Sequence, residues 1–257
     1  MKDLKIALLQ YDILWEDTFG NLSRLDEYIS QMEEDTDVLI LPEMFHCGFS
    51  MSPAKNAQKE GGEVLQWMRN VAVTYGVTVL GSVVVETGGD FVNRLYVVDE
   101  HSLHYYDKRH LFTMGDEHLH YAAGSLRLVV TIKGWRFCLL ICYDLRFPVW
   151  SRNLGEAYDV LVYVANWPAS RKKVWNTLLP ARALENQSYV VGLNRIGNDG
   201  QLSYAGQSRV INARGEVICD MADNNGFAYV VLNHSALRDF RKAFPVLNDA
   251  DNYKITD

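Results

Sequence analysis

The 257-residue sequence lacks the marks of several protein classes. Its first residues, MKDLKIALLQYDILWED, hold only a short apolar run, Ile6–Leu9, and no small-residue cleavage site, so we expect no secretory signal peptide. No apolar run approaches the ~20 residues that a membrane-spanning helix needs. The net charge is −7, and no block of five like charges occurs. Because an acidic chain without a basic stripe binds nucleic acid and anionic membranes poorly, we expect neither as a partner.

Cysteine is scarce, and its spacing excludes the common paired motifs. The four cysteines are Cys47, Cys138, Cys142 and Cys219, and none forms a C-x-x-C pair. Cys138 and Cys142 have the same parity on one predicted strand but lie too far apart along it to bond. We therefore expect a reduced, cytoplasmic protein in which a special cysteine serves chemistry rather than cross-linking.

Apolar residues are plentiful, at 48% of the chain, and many of them form short strand-like runs. Several runs are apolar throughout, as expected when both faces of a sheet are covered. Turn residues predict two hairpins, one around Gly88–Gly89 and one around Arg214–Gly215. The strands alternate with helical stripes, which predicts an α/β architecture with mixed sheets. No linker or break in composition appears, so we predict a single domain, residues 1–257.

Two of the helical stripes carry specific expectations. Apolar residues recur with helical spacing from Leu22 to Met32, and Asn21 is a plausible N-cap for that helix. A later helix around Trp175 contains Pro180, which lacks an N–H and is expected to kink or restart it.

Three apolar strands end on residues that can do chemistry. The run LILPEMF reaches Glu43, YYDKRHLF reaches Lys108, and FCLLICYDLRFP reaches Cys142. A helix that starts after Cys142 would favour its thiolate, and the N–H of Tyr143 could stabilise an oxyanion. Strand ends in open α/β sheets share one edge, where ligands bind. A thiol nucleophile, a carboxylate base and a cation together suit acyl transfer.

Each of these residues also has an ordinary structural interpretation. Most free cysteines are small buried apolar residues, and Cys138 is interpreted in that way. Glu43 could be a carboxylate at a helix entry, and Lys108 could be a charged residue that protects a strand end. The functional interpretation therefore depends on the three occurring together.

A polar segment after Lys108 raises the question of a metal site. It contains His110, Asp116, Glu117, His118 and His120. The spacing fits none of the common zinc patterns, and no H-x-x-x-H pair lies on a clear helix, so we predict no metal.

Nearly the whole chain, from KIALLQ to about AYVVLN, resembles the nitrilase superfamily of carbon–nitrogen hydrolases. The resemblance is carried by the three blocks LPEMF, DKRHLF and CYDLRFP, with VANWP and ARALENQSYVVGLNRIG as further matching segments. The longer pattern YDKRHLF…DEHLHY…CYDLRFPVWSRNL…VANWPA is similar to the bacterial ω-amidase branch, whose members hydrolyse the terminal amide of 2-oxo acids.

The resemblance implies a four-layer αββα sandwich, assembled as a homodimer or higher homo-oligomer. It also implies a catalytic Glu-Lys-Cys triad, which falls on Glu43, Lys108 and Cys142, and it implies no cofactor. Members of this family also have a second glutamate in the site, and the resemblance places it at Glu117, seven residues before Gly124. Asp116 is the other candidate for this second acid. The expected substrates are monoamides of small 2-oxo dicarboxylic acids, 2-oxoglutaramate and 2-oxosuccinamate.

Further residues are candidates to bind the small-molecule amide. Phe112, Met114, Asn166 and Trp167 could line the pocket beside Tyr143, although core packing explains each of them equally well. Arg146 could receive a substrate carboxylate, but we expect it to anchor the turn after Cys142.

Two other functions stay open at this point. An N-carbamoyl amine or amino-acid amidohydrolase of the same fold would keep the same polar residues. A non-catalytic or metal-binding α/β protein would show no thiol-dependent activity and would retain metal at His118 and His120.

Overall fold

The structure is a computed structural model that describes residues 2–255. Within these residues the chain forms fifteen strands. The strands are β1 (Leu4–Gln10), β2 (Val38–Ile40), β3 (Gln58–Lys59), β4 (Thr78–Thr87), β5 (Asp90–Val98), β6 (Leu103–Asp107), β7 (Leu128–Ile132), β8 (Trp135–Ile141), β9 (Val160–Ala165), β10 (Tyr189–Asn194), β11 (Ile196–Asn198), β12 (Ser203–Ala205), β13 (Arg209–Ile211), β14 (Val217–Asp220) and β15 (Gly226–Leu232).

Seven α-helices and four 3₁₀ turns connect these strands within the described part of the chain. The helices are α1 (Thr18–Ile29), α2 (Pro53–Asn56), α3 (Glu63–Tyr75), α4 (Glu117–His120), α5 (Pro148–Ser151), α6 (Lys172–Asn186) and α7 (His234–Ala243). The 3₁₀ turns are Thr113–Gly115, Cys142–Arg146, Ala169–Arg171 and Val246–Asp249. No described helix is long and apolar enough to cross a membrane.

Two mixed sheets form the centre of the fold. The first has the order β15-β1-β2-β4-β5-β6, with β3 added beside β4, and the second has the order β14-β13-β10-β9-β8-β7. Both predicted hairpins are confirmed, since β4 and β5 pair antiparallel around Gly88–Gly89 and β13 and β14 pair antiparallel around Arg214–Gly215.

The alternation of side chains on β1 shows why the sheets form inner layers. Ile6 and Leu8 join the apolar core that the two sheets share, whereas Ala7 and Leu9 join the core beneath α1 and α3. On the second sheet, α6 packs so closely on β10 that a Cβ added at Gly192 would lie 2.5 Å from Leu179. Helices therefore cover the outer faces of both sheets, and the predicted αββα architecture is confirmed. The single domain stays a prediction.

The structure bears on two local expectations about helices, of which the predicted N-cap was wrong. Helix α1 begins at Thr18, because the side chain of Asp17 accepts a hydrogen bond from the N–H of Gly20 and caps the first turn. Asn21, the predicted cap, lies inside the helix, where its side chain binds Leu14 and His46. Pro180 does not restart α6, which runs on through it to Asn186.

Candidate active site

The site lies where strands of both sheets end. In the first sheet, β2 runs parallel to β4, and β6 has the same direction because it is antiparallel to β5, which is antiparallel to β4. The ends of β2 and β6 therefore lead to Glu43 and Lys108 at one edge. In the second sheet, the parallel strands β8 and β9 end just before Cys142 and Asn166. The chain directions thus bring these side chains to one region between the sheets.

The ammonium group of Lys108 lies between two carboxylates. Its Nζ is 2.9 Å from Oε1 of Glu43 and 3.0 Å from both carboxylate oxygens of Glu117. All three side chains are 0% exposed. An unpaired charge at such depth would be very costly, so each of these groups depends on the others for its charge.

The pKa values of this cluster follow from burial and from the neighbouring charges. Burial opposes the charged form of Lys108, but Glu117 and Glu43 outweigh it and raise the lysine pKa above its ordinary value. Burial also raises the pKa of Glu117; Lys108 opposes that shift, and the carboxylate of Glu43 adds to it. Lys108 is therefore a fixed cation at neutral pH.

Cys142 stands at a strained turn beside this cluster. Its φ is +44°, a left-handed conformation that costs a non-glycine residue free energy and is typical of functional sites. Burial and the nearby Glu43 raise its pKa well above the ordinary thiol value, and Lys108 only partly opposes them. A 3₁₀ turn begins at Cys142 where we expected a helix to follow, and the raised pKa favours a neutral thiol in the resting site.

Glu43 is held by groups from both sheets. Its Oε1 accepts a hydrogen bond from Nδ2 of Asn93 at 2.8 Å, and its Oε2 accepts one from the backbone N–H of Asn166 at 2.8 Å. The Asn166 side chain also donates to the Glu43 carbonyl oxygen. These bonds fix the carboxylate beside Cys142 and Lys108.

Of the two candidates for the second acid, Glu117 is the one that contacts Lys108. Asp116 is exposed, whereas Glu117 is buried, binds Lys108 and accepts a hydrogen bond from the Phe112 N–H at 2.6 Å. Gly124 supports the same loop, because its N–H donates to the Lys108 carbonyl oxygen at 2.9 Å. A Cβ at Gly124 would lie 2.1 Å from the Asp107 carbonyl oxygen, so only glycine fits there.

A cavity opens onto Cys142 and Lys108. Four of the five predicted substrate contacts line it, namely Tyr143, Phe112, Asn166 and Trp167. Met114 does not line it, and this residue of the 3₁₀ turn Thr113–Gly115 is 70% exposed.

Arg146 also differs from our expectation. It lines the cavity, where its guanidinium lies 5.5 Å from the centre of the Trp167 ring. The turn after Cys142 is anchored instead by Arg182, whose Nη2 donates to the Leu145 carbonyl oxygen at 2.8 Å. Arg146 is therefore available to a ligand.

Several lining residues were missed by the sequence analysis. Arg171 follows β9 and lies over the ring of Phe112, and Leu202 and Tyr204 come from the β11–β12 hairpin. Asn93, which donates to Glu43 from β5, does not line the cavity and was also missed. His118 and His120 are exposed, and among residues 2–255 no group of three or more His, Cys, Asp or Glu side chains is placed to hold a metal ion.

Comparisons with known proteins bear on the family of this chain. The family model for carbon-nitrogen hydrolases matches residues 5–242. The chain is 47% identical over 261 residues to omega-amidase YafV of Escherichia coli K12, covering 99% of this chain and 100% of the relative. It is 32% identical to a 2-oxoglutaramate amidase of Bacillus subtilis, covering 95% of this chain and 96% of that one.

A solved structure gives the same result. The protein XC1258 of Xanthomonas campestris, a CN-hydrolase superfamily protein with an arsenic adduct in its active site, superposes with a TM-score of 0.97. It is 39% identical in sequence, and all of both chains is covered. Together, the family model, the relatives and this structure show that the chain belongs to the carbon-nitrogen hydrolase family.

Proposed function

We propose that this chain hydrolyses the terminal amide of small 2-oxo dicarboxylic acid monoamides, such as 2-oxoglutaramate and 2-oxosuccinamate, through a cysteine thioester. The catalytic residues are Cys142, Glu43 and Lys108, with Glu117 as the second acid. The observation that carries the proposal is the buried cluster in which Lys108 bridges Glu43 and Glu117 beside the thiol of Cys142 at the cavity floor. Relatives named omega-amidase and 2-oxoglutaramate amidase support the substrate class.

The first step joins the thiol to the amide carbon. Because its pKa is raised, Cys142 carries its proton in the resting enzyme and needs a base. Glu43, held by Asn93 and Asn166, takes that proton as the sulfur attacks the carbonyl carbon. Charge then develops on the carbonyl oxygen, where Lys108 and the N–H of Tyr143 stabilise it.

The second half of the reaction releases both products. Glu43 returns its proton to the nitrogen as the C–N bond breaks, so ammonia departs and a thioester remains on Cys142. Glu43 then takes a proton from water, which attacks the thioester, and the carboxylic acid leaves as the thiol is restored. Glu117 keeps Lys108 oriented throughout and needs no proton of its own.

The charges of the cavity favour an anionic amide. Lys108, Arg146 and Arg171 line it, and no Asp or Glu is among its described lining residues. A 2-oxo acid offers one carboxylate to the arginines and carries no ammonium. Glutamine has the same amide and carboxylate, but its α-ammonium would face the cations with no carboxylate among the described lining residues to balance it. We therefore expect 2-oxoglutaramate to be preferred over glutamine.

The substrate class can be tested by measuring ammonia release from 2-oxoglutaramate, 2-oxosuccinamate, glutamine and N-carbamoyl amino acids at equal concentration. We expect the highest kcat/KM with a 2-oxo acid monoamide. A higher kcat/KM for an N-carbamoyl compound would instead assign the chain to carbamoyl hydrolysis within the same family.

Replacing Arg146 by methionine is expected to raise KM for 2-oxoglutaramate about 10- to 100-fold, because a charge-assisted hydrogen bond contributes about 1.5–3 kcal/mol. The substitution keeps much of the apolar packing on Trp167. The control is an uncharged amide such as butyramide, whose kcat/KM should stay the same. An equal loss for both substrates would show that Arg146 supports the cavity wall rather than binding a carboxylate.

The proposal also covers the oligomeric state of the protein and its cellular compartment. We propose a homodimer or higher homo-oligomer in the cytoplasm, with a single hydrolase domain over residues 1–257. The resemblance to the family supports the assembly, and the four cysteines, all unpaired in the structure, support a reducing compartment. Light scattering after size exclusion would test the assembly, and a monomer at micromolar concentration would contradict it.

A further inference from the structure

Asp144 lies two residues after Cys142 and is fully buried. Its carboxylate accepts four hydrogen bonds. Oδ1 accepts from the backbone N–H of His110 at 3.0 Å and from the His110 ring nitrogen Nδ1 at 2.7 Å. Oδ2 accepts from the Ile141 N–H at 2.9 Å and from the Tyr106 hydroxyl at 2.8 Å. Because a carboxylate facing four donors only accepts, Nδ1 of His110 must carry a proton.

These four bonds join the segments that carry two of the proposed catalytic groups. Tyr106 and His110 stand two residues before and two residues after Lys108. Ile141 directly precedes Cys142, and Asp144 itself follows it in the same turn. The carboxylate therefore holds the chain on both sides of the lysine against the chain on both sides of the thiol. It also bridges the two sheets, since Tyr106 is on β6 and Ile141 is on β8.

The surroundings make this link rigid. The hydroxyl of Tyr106 also accepts from the Arg109 N–H at 3.1 Å and from Nε1 of Trp150 at 3.0 Å. The ring of His110 stacks on Phe147, with ring centres 3.8 Å apart. Fully satisfied buried networks of this kind fix a single arrangement of the segments that they join.

We propose that Asp144 is a positioning residue that sets the placement of the Cys142 thiol relative to the Lys108 ammonium. It touches neither the substrate nor the reacting atoms and acts through the two segments. This inference rests on the proposed function, because it assumes that Cys142 and Lys108 act together on one substrate carbonyl. Misplacing reacting groups by about 1 Å can lower a rate about 100-fold.

The substitution Asp144→Asn tests the proposal. If an amide nitrogen takes the place of Oδ2, its N–H faces the backbone N–H of Ile141, and two donors cannot bond to each other. The turn that begins at Cys142 must then shift. We expect kcat, expressed per alkylatable Cys142, to fall about 10- to 100-fold while KM for the amide stays near the wild-type value. Arg171 lies in a separate turn and would still meet the substrate carboxylate, so KM should change less than kcat.

Asp159 provides a matched control. It is also buried and also accepts four hydrogen bonds, three from Arg136 and one from Arg241, but it precedes β9 at the end opposite the cavity. Asp159→Asn should lose stability and keep wild-type kcat per folded molecule. The proposal is overturned if Asp144→Asn keeps wild-type kcat, or if both variants lose kcat in proportion to their lost stability.

A second variant keeps the proposal testable if Asp144→Asn does not fold. His110→Ala removes the ring bond to Asp144 and the stack on Phe147 but keeps the backbone bond, so kcat should fall about tenfold, within the range expected for misplaced groups. The exposed His104 on β6 is its control, and His104→Ala should leave kcat unchanged. Wild-type kcat in His110→Ala would overturn the proposal in that case. Failure of wild-type turnover itself would instead reject the proposed function.

Discussion

Replacing Cys142 by alanine is expected to lower amide hydrolysis by about 10⁴-fold or more, because no thioester can form without the sulfur. The fold should survive. Alanine keeps the Cβ atom, so the left-handed φ of +44° costs about the same in both residues. The measurement is ammonia release from 2-oxoglutaramate, with circular dichroism as the check that the variant is folded.

Cys138 is the matched control for this prediction. It lies on β8, four residues before Cys142, and is fully buried in the apolar core. Cys138→Ala should cost about 1 kcal/mol of stability and leave kcat near wild type. Amidase activity retained in Cys142→Ala, or lost only in Cys138→Ala, would reject Cys142 as the nucleophile.

Replacing Lys108 by methionine is expected to damage both activity and stability. Loss of one oxyanion donor typically lowers kcat about 10²- to 10³-fold. The same change leaves Glu43 and Glu117 buried without a counter-charge, which should destabilise the fold by about 3–5 kcal/mol. Urea unfolding and steady-state kinetics measure the two effects separately.

The stability loss should depend on pH in a defined direction. Burial raises the pKa of Glu117 and Lys108 opposes that shift, so without the lysine this pKa should lie further above the ordinary glutamate value of 4.5. The folded variant then prefers the protonated form of Glu117, so its stability is retained below the ordinary pKa and falls as pH rises through the raised pKa. Lys108→Met should therefore be closest to wild type in stability at acidic pH.

A double variant separates charge balance from catalysis. Adding Glu117→Gln to Lys108→Met removes one of the two unpaired carboxylates and should recover part of the lost stability. Activity should stay low, because the oxyanion still lacks its cation. Recovery of activity together with stability would mean that Lys108 serves only to balance the buried acids.

The strand-end residues could be read from the sequence because their positions follow from simple rules. Apolar runs that stop at Glu43, Lys108 and Cys142 predict strand ends, and parallel strands bring such ends to one edge. The structure does bring the three together, and their roles remain a proposal. Only the structure shows that Glu117 and not Asp116 contacts Lys108, because the two acids are adjacent in the sequence and differ in which one is buried.

Other parts of the site depend on contacts that no local pattern encodes. Arg171 and Tyr204 reach the cavity only because a 3₁₀ turn and the β11–β12 hairpin fold over it. The protonated state of Cys142 depends on its burial and on Glu43, which lies about a hundred residues away in the sequence. Asp144 belongs to the same class, since its partners on β6 and in the loop after it are brought near by the packing of the two sheets.

The most direct measurement is mass spectrometry of the enzyme quenched in acid after a brief exposure to 2-oxoglutaramate. We expect a fraction of the protein to gain the mass of the acyl group after loss of ammonia, and peptide mapping should place it on Cys142. The adduct should be absent from Cys142→Ala. An enzyme that turns over the amide with no such adduct, or with the adduct on another residue, would contradict the proposed thioester route.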